Sequence, residues 1–468
     1  MAGRGAMDVK LNVKPVSVQL LHSGIYEGPC RVGRDEDLDP EEEKRRGEER
    51  FQNWVQQLKT EISDHVRLLE PVRIQWKDDW HLPEGELAKL DEDARSTDVF
   101  LIGPGGLRQY PSVAIARRFR KPIVMVGTVG TIDVAAHLRS RGLEGYSVLD
   151  VDDLNRLISL LRARKAISAM KILHALEGDT IPVGVVSTIY DMEDLRDRLG
   201  VRRQSVPATR LLDRMDALSG DDAAEAEQLT DDLMEGAERC EMSRENILPS
   251  VRFYVAAKRM MGERECNAFT VPCFELCARR MPERHKVTFC LTHSLLKDGG
   301  YPAACEGDVN VLMAIATLMY VSGKSPYMGN CALLSKPENQ VRIVHSVPGL
   351  KMKGLDEPSL PYAITSFTTG GWGVTLRYDF SRDVGEPVTI ARFDPTARKL
   401  LVAAGEIVGG EGYEKIGCSV GVHLGLRDVV DFFDQQQDFG HHMAMVYGDY
   451  TDDLRRLGRL MDIAVVEA

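Results

Sequence analysis

The stretch DVFLIGPGGLRQYPSVAIARRFRKPIVMV, residues 98–126, decides the fold class of this chain. Its two apolar runs, 98–102 and 122–126, have the length and the β-branched content of buried strands, and a helical pattern separates them. Similar runs lie at 16–21, 65–69 and 146–151. Because strands that alternate with helices pair into one layer, we predict a Rossmann-like α/β domain here.

A second series of strands and helices is predicted in the middle of the chain. A helix over 154–176 has no loop composition and is predicted to cross between two domains. Strands are predicted at 181–186, 268–271 and 286–290, and helices at about 221–238 and 246–261. We therefore expect a second Rossmann-like α/β domain.

Beyond residue 330 the pattern changes to short strands divided by turns rich in Gly, Pro and Asp. These strands are predicted at 341–346, 362–367, 373–378, 387–393, 399–405 and 419–423. Such a series is typical of a small barrel or sandwich, and we expect an antiparallel β-barrel. The predicted domains are an N-terminal α/β domain at 10–165, a central α/β domain at 166–330 and a β-rich domain at 331–468.

Composition argues against nucleic acid and membrane as partners. The 468 residues carry a formal net charge of −12, with no stripe of Lys and Arg interleaved with aromatic residues. No stretch approaches the roughly 20 apolar residues of a membrane span. The nine cysteines show no pairing framework, and the first ten residues lack an apolar leader, so we expect reduced thiols and a cytoplasmic protein.

Three segments far apart in sequence carry carboxylates and imidazoles. They are CFEL at 273–276, CEGDV at 305–309 and GHHMAMVYGD at 440–449. Oxygen and nitrogen ligands without a convergent set of thiolates suit Mn²⁺, or another divalent cation such as Mg²⁺ or Co²⁺. The segments therefore predict a metal-assisted enzyme.

Each carboxylate of these segments also has a structural interpretation. Glu275 follows a predicted strand at the end of the sheet where ligands bind, although a glutamate at a helix start is common by itself. Asp308 can cap the helix that begins at 309. Capping explains only one carboxylate, however, and two of them, Glu306 and Asp308, flank Gly307. We therefore predict Glu275, Glu306 and Asp308 as metal-ligating and catalytic candidates.

The late histidine pair can supply only one metal ligand. His441 and His442 are adjacent on a predicted strand, so their side chains point to opposite faces. We predict His442 as the metal ligand and leave His441 as a substrate or packing contact.

The three segments resemble the L-fucose isomerase and L-arabinose isomerase family, from about residue 265 to the C-terminus. The resemblance implies that Glu275, one carboxylate of the second segment and His442 bind the metal. Arabinose isomerases use the Glu of that segment and fucose isomerases the Asp two residues later. This chain has both Glu306 and Asp308, so either can be the ligand, with the other holding it in place.

Two further residues are candidates for substrate binding. His345 closes a predicted strand where arabinose isomerases carry another histidine, and it lies either in the site or half in solvent at the strand end. Trp372 stands between glycines in TTGGWG, residues 368–373, where it either lies flat against a sugar ring or closes a hairpin turn.

The resemblance implies an aldose–ketose isomerase acting on a fucose-like or arabinose-like sugar or a derivative. Removal of the C2 proton gives a cis-enediolate, whose charge a divalent metal stabilises while Glu275 and Glu306 or Asp308 transfer protons. The family also builds its sites between subunits, which implies a homo-oligomer, a trimer or hexamer. Two alternatives remain: a non-catalytic sugar-binding or regulatory protein, and a metal-dependent sugar epimerase or hydrolase.

Overall fold

A computed structural model describes residues 5–25, 27–28, 32–104, 107–176 and 184–468. The described residues divide into two compact units, one within 9–162 and the other formed by 5–8 together with those within 163–468. The boundaries predicted between three domains stay predictions. No helix in the described part of the chain is long and apolar enough to cross a membrane.

The first unit is built on a parallel sheet. Its strands are β1 (Leu11–Leu21), β2 (Val66–Leu68), β3 (Val72–Lys77), β4 (Val99–Ile102), β5 (Ile123–Val126) and β6 (Gly145–Val148). Its helices are α1 (Pro40–Glu61), α2 (Glu84–Ala88), α3 (Gln109–Phe119), α4 (Gly130–Ser140) and α5 (Val151–Ser168), the last of which continues into the second unit. The long strand β1 pairs with β2, β3 and β4, and the sheet continues through β5 to β6. Residues 13–20 are all buried, as expected for a sheet covered on both faces.

The second unit begins with another parallel sheet. The strands here are β7 (Lys171–His174), β8 (Arg202–Ser205), β9 (Arg239–Cys240), β10 (Ala268–Val271) and β11 (Ala303–Cys305). The helices are α6 (Met192–Leu199), α7 (Ala208–Asp216), α8 (Gly220–Gly236), α9 (Arg244–Glu263), α10 (Cys273–Ala278), α11 (Met281–His285), α12 (Cys290–Asp298) and α13 (Val309–Ser322). The sheet order is β11-β10-β7-β8, which confirms a second α/β layer.

Two predicted elements of this layer are wrong and one is only partly described. The helix predicted over 154–176 ends at Ser168, and its last residues form β7, because a short buried run has no periodicity that separates strand from helix. The strand predicted at 286–290 is absent, since Lys286 has a left-handed backbone and α12 begins at Cys290. The strand predicted at 181–186 lies outside the described residues at 181–183, and 184–186 is not a strand.

The C-terminal region forms the expected barrel. Its strands and those of a neighbouring hairpin are β12 (Tyr327–Ser335), β13 (Gln340–His345), β14 (Ala363–Ser366), β15 (Val374–Arg377), β16 (Pro387–Phe393), β17 (Lys399–Glu411), β18 (Val420–Leu426), β19 (His442–Tyr447) and β20 (Ala464–Glu467), with helices α14 (Val429–Gln436) and α15 (Thr451–Met461). Antiparallel pairing in the order β16-β19-β12-β13-β18-β17 closes when β17 returns to β16. Fully buried side chains such as Ile343, Ile390 and Leu401 fill its core.

The strands β14 and β15 are not barrel strands, contrary to the sequence interpretation. They pair with each other, and β14 pairs in parallel with β9, which lies more than a hundred residues earlier in the chain. Ile364 and Leu376 pack in the same core cluster as Phe253 of α9. The apolar side chains of β14 and β15 are therefore buried against the central layer and not in the barrel core.

Candidate metal centre

Three buried side chains converge just beyond the carboxyl end of β11. Glu306, His345 and His442 each offer one ligand atom, and these atoms lie within 4.8 Å of one another. No other such group occurs within the ranges that the structure describes. A carboxylate with two imidazoles is a donor set that suits divalent transition metals.

The turn from β11 into α13 places the Glu306 carboxylate. Glu306 has a φ of 63° and Gly307 a φ of 69°, so two consecutive left-handed residues reverse the chain. The left-handed conformation costs a residue other than glycine about 1–2 kcal/mol. The Gly307 N–H donates to the carbonyl oxygen of Val271 at 3.1 Å, which fastens the turn to the end of β10.

The barrel supplies both histidines. His345 is the last residue of β13 and His442 the first of β19, and β12 pairs with both strands. The backbone N–H of His345 donates to the Tyr327 hydroxyl at 2.8 Å, which fixes the strand end. Nε2 of His345 lies 3.2 Å from Oε1 of Glu306, and Nε2 of His442 lies 3.6 Å from Oε2 of the same carboxylate.

Asp308 orients His442 and also caps α13. Its Oδ1 accepts from the Val311 N–H at 3.2 Å, as an N-cap does, and its Oδ2 lies 2.9 Å from Nδ1 of His442. An ionised carboxylate only accepts hydrogen bonds, so Nδ1 of His442 carries a proton, and Nε2 is the nitrogen that faces the Glu306 carboxylate. Carboxylates behind a metal-binding imidazole commonly fix its tautomer in this way.

Arg392 belongs to this site and was missed by the sequence analysis. It is fully buried on β16 and donates to Oδ2 of Asp308 at 2.6 Å. It also donates to the carbonyl oxygens of Phe439 and His442 and to the Ser187 hydroxyl. The signal was an arginine inside the apolar strand β16, because buried charges need partners.

The neighbouring charges keep both carboxylates ionised. Burial raises the pKa of Asp308, but the charges and hydrogen bonds of Arg392 and His442 outweigh it and hold that pKa well below its usual value. Burial also raises the pKa of Glu306, and the hydrogen bond and charge of His345 bring it below its usual value. For His345, burial lowers the pKa, whereas Cys418 and Glu306 raise it, with a net increase.

His441 lies beside the cluster without belonging to it. Its ring centroid is 4.2 Å from that of His442, and the side chain is half-buried. Burial, followed by the charge of His442, lowers the pKa of His441 to about 4, so its ring is neutral at pH 7. Its role as a substrate contact stays a prediction.

Glu275 and Trp372 are predicted site residues outside the three-residue group. Glu275 is half-buried in the first turn of α10, directly after β10. Trp372 lies in the hairpin between β14 and β15, with the ammonium of Lys286 at 5.3 Å from its ring centroid. The Thr368 hydroxyl donates to the Trp372 carbonyl oxygen at 3.0 Å. The hairpin turn, one of the two alternatives for Trp372, is therefore present. The metal-ligating and catalytic roles of Glu275 and the sugar-binding role of Trp372 stay predictions.

The chain is similar to sulfoquinovose isomerases. It is 25% identical over 317 residues to those of Priestia aryabhattai and Priestia megaterium, which covers 66% of this chain and 67% of each relative. It is 25% identical over 234 residues to that of Alkalicoccus urumqiensis, 46% of this chain and 47% of the relative. No family model matches the chain. These relatives support a sugar isomerase and, with it, the prediction of an aldose–ketose isomerase enzyme.

Proposed function

We propose that this chain is a metal-dependent aldose–ketose isomerase, as the resemblance to fucose and arabinose isomerases implies. The observation that carries the proposal is the buried group of Glu306, His345 and His442. Asp308 is hydrogen bonded to Nδ1 of His442, the ring nitrogen that faces away from Glu306. The similarity to sulfoquinovose isomerases makes sulfoquinovose, a sulfonated aldohexose, the first substrate to test. Other fucose-like and arabinose-like sugars belong in the same panel.

The residues of the site fit a divalent metal. Nε2 of His442 is buried and has no hydrogen-bond partner among the described residues, and it faces the Glu306 carboxylate. In its neutral form the ring would present the Nε2 lone pair to a metal, because Asp308 holds the proton on Nδ1. Glu306, His345 and His442 would hold the metal, with Mn²⁺ as the first ion to test and Mg²⁺ or Co²⁺ as alternatives.

A bound divalent ion would supply positive charge that stabilises the negative charge developing on the oxygens at C1 and C2. The chain's own part is proton transfer. Glu306 and Glu275 are the carboxylates assigned to carry the proton between C2 and C1 through the cis-enediolate. Asp308 is less suited, because its oxygens already accept from Val311, His442 and Arg392.

We further propose a homo-oligomer, a trimer or hexamer, working in the cytoplasm without nucleic acid. Four large apolar side chains of the first unit support an oligomer. Trp80, Tyr110, Val129 and Leu149 follow the carboxyl ends of β3, β4, β5 and β6, and each is more than half exposed. Exposed apolar residues gathered at one edge of a sheet commonly mark an interface.

The test is incubation of sulfoquinovose and a panel of aldoses with the protein and Mn²⁺ in deuterated water. An isomerase gives a ketose that carries deuterium at C1, because the proton passes through an exchangeable carboxylate. An epimer labelled at C2 or a cleavage product would instead support the alternative enzymes. Binding of a sugar without any product would support the non-catalytic alternative.

A further inference from the structure

Cysteines gather around the candidate metal centre. The Sγ atoms of Cys273 and Cys305 lie 3.5 Å apart, and Cys418 raises the pKa of the buried Cys290 thiol. No three thiols of the described chain form a group that could hold a metal ion, since the one such group contains no cysteine. Cys273 and Cys305 are therefore a close thiol pair outside the candidate metal group, and two neighbouring thiols are the arrangement that disulfide chemistry needs.

We propose that Cys273 and Cys305 are a thiol modification site, at which peroxide forms a reversible disulfide. Formation of this bond does not depend on the proposed isomerase function. Its effect on turnover does rest on that function, because the bond joins the two segments that carry Glu275 and Glu306.

The fold brings these two sulfurs together. Cys305 ends β11 and pairs in parallel register with Val271 of the adjacent strand β10, and Cys273 begins α10 two residues later. A disulfide has an S–S length of about 2.05 Å, so the sulfurs need to approach by roughly 1.5 Å. The turn that follows Cys305 is fastened to the end of β10 by the hydrogen bond from the Gly307 N–H to the Val271 carbonyl oxygen, which keeps the two segments adjacent.

Their exposure sets the order of events. Cys273 is half-buried, whereas Cys305 is 1% exposed. Peroxide therefore meets Cys273 first. Its sulfur attacks one peroxide oxygen, the O–O bond breaks, and a sulfenic acid and one water form.

The second step completes the bond. The sulfur of Cys305 attacks the sulfenic sulfur of Cys273, the S–O bond breaks, and the thiol proton leaves with the hydroxide as a second water. Two thiols and one hydrogen peroxide thus give one disulfide and two waters. A dithiol reductant restores both thiols by exchange.

The consequence for the site follows from the position of Cys305. It directly precedes Glu306, whose left-handed backbone fixes the carboxylate 3.2 Å from His345. Drawing Cys305 toward Cys273 displaces this carboxylate, and a displacement of about 1 Å can lower a reaction rate by roughly 100-fold. We expect oxidation to lower turnover by at least about tenfold, with recovery after reduction.

The experiment uses the full chain, first reduced and then treated with hydrogen peroxide. Remaining thiols are alkylated, and the digest is mapped by mass spectrometry without reduction. We expect a peptide pair joined through Cys273 and Cys305 that dithiothreitol separates. This readout needs no substrate, so it stands even if the isomerase proposal fails.

Matched variants make the outcome decisive. Cys273→Ser removes the half-buried thiol and should abolish the joined peptide and any peroxide-dependent loss of activity. Cys266→Ser changes another buried cysteine, in the loop before β10, and should leave both unchanged. A bridge from Cys290 to Cys418 in its place, or oxidation of Cys273 to a sulfinic acid without a bridge, would overturn the proposal.

Discussion

Oδ2 of Asp308 lies 2.9 Å from Nδ1 of His442, and the same oxygen accepts from Arg392 at 2.6 Å. The contact fixes which nitrogen of His442 faces the Glu306 carboxylate. It joins the N-cap residue of α13 to the first residue of β19, so the central layer and the barrel are joined at the site. In the sequence analysis, Glu306 and Asp308 competed for one role, whereas this geometry favours different roles for them.

Substitution of each carboxylate should distinguish the role of Glu306 from that of Asp308. We expect Glu306→Gln to lose both Mn²⁺ binding and turnover, because an amide is a poor ligand and cannot take a proton. Asp308→Asn should keep some of each, within the roughly 10- to 100-fold loss typical of residues that hold a ligand in place. Calorimetric titration with Mn²⁺ and initial rates on the same samples measure both. Wild-type rates in the two variants would remove this segment from the site.

Glu275 tests the predicted proton-transfer pair. We expect Glu275→Gln to be nearly inactive, since a second carboxylate is needed to return the proton at C1. Glu283→Gln is the matched control, because Glu283 also lies in the first turn of a short helix but pairs with Arg280 at the surface. An active Glu275→Gln variant would show that another group carries this proton.

Arg392 should act through Asp308. Arg392→Lys keeps a positive charge but loses the fork that donates to Asp308, Phe439 and Ser187 together. We expect Mn²⁺ affinity to fall by about 10- to 100-fold, as for other residues behind a ligand. Arg398→Lys, at an exposed ion pair with Asp194, should bind Mn²⁺ like the wild type. Equal affinity of both variants would mean that Arg392 is only structural.

Asp308 should also make the free energy of unfolding depend on pH in the acidic range. Its folded pKa is held below its usual value, so the ionised carboxylate stabilises the fold at any pH above its unfolded pKa of about 4. That contribution is lost as the pH falls through the folded pKa. Between about pH 6 and about pH 3, the wild type should therefore lose more free energy of unfolding than Asp308→Asn, which cannot titrate.

Urea titrations at both pH values measure this difference. Asp438→Asn provides the baseline, because Asp438 is an exposed partner of Lys399 and should follow the wild type. A constant gap between the wild type and Asp308→Asn would contradict the ionised state assigned to Asp308.

The sequence predicted the layers well because apolar runs and helical patterns alternate over long stretches. It failed at β7, since Ile172 and Leu173 also fit the helical spacing of the apolar residues in α5 and the strand is only four residues long. It also placed β14 in the barrel, because the partner strand β9 has only two residues and lies far away in sequence. Pairing between such distant segments leaves no local signal.

The candidate site divides in the same way. Glu306, Asp308 and His442 stand in short motifs whose residue types already indicate ligands. The sequence left His345 either in the site or half in solvent at the strand end, and the structure places it beside Glu306. Arg392 could not be found from spacing, because its partners come from β19, from the residue before α13 and from Ser187. A buried charge is visible in a sequence only as an exception within an apolar strand.

The most direct test of the central claim is one reaction of sulfoquinovose with the purified protein in deuterated water, followed by NMR before and after exhaustive chelation. We predict a ketose with deuterium at C1 from the Mn²⁺-loaded protein. We also predict loss of this product after chelation while the protein stays folded, and recovery when Mn²⁺ is returned. Ketose formation that survives chelation, or a labelled aldose epimer as the sole product, would contradict the account.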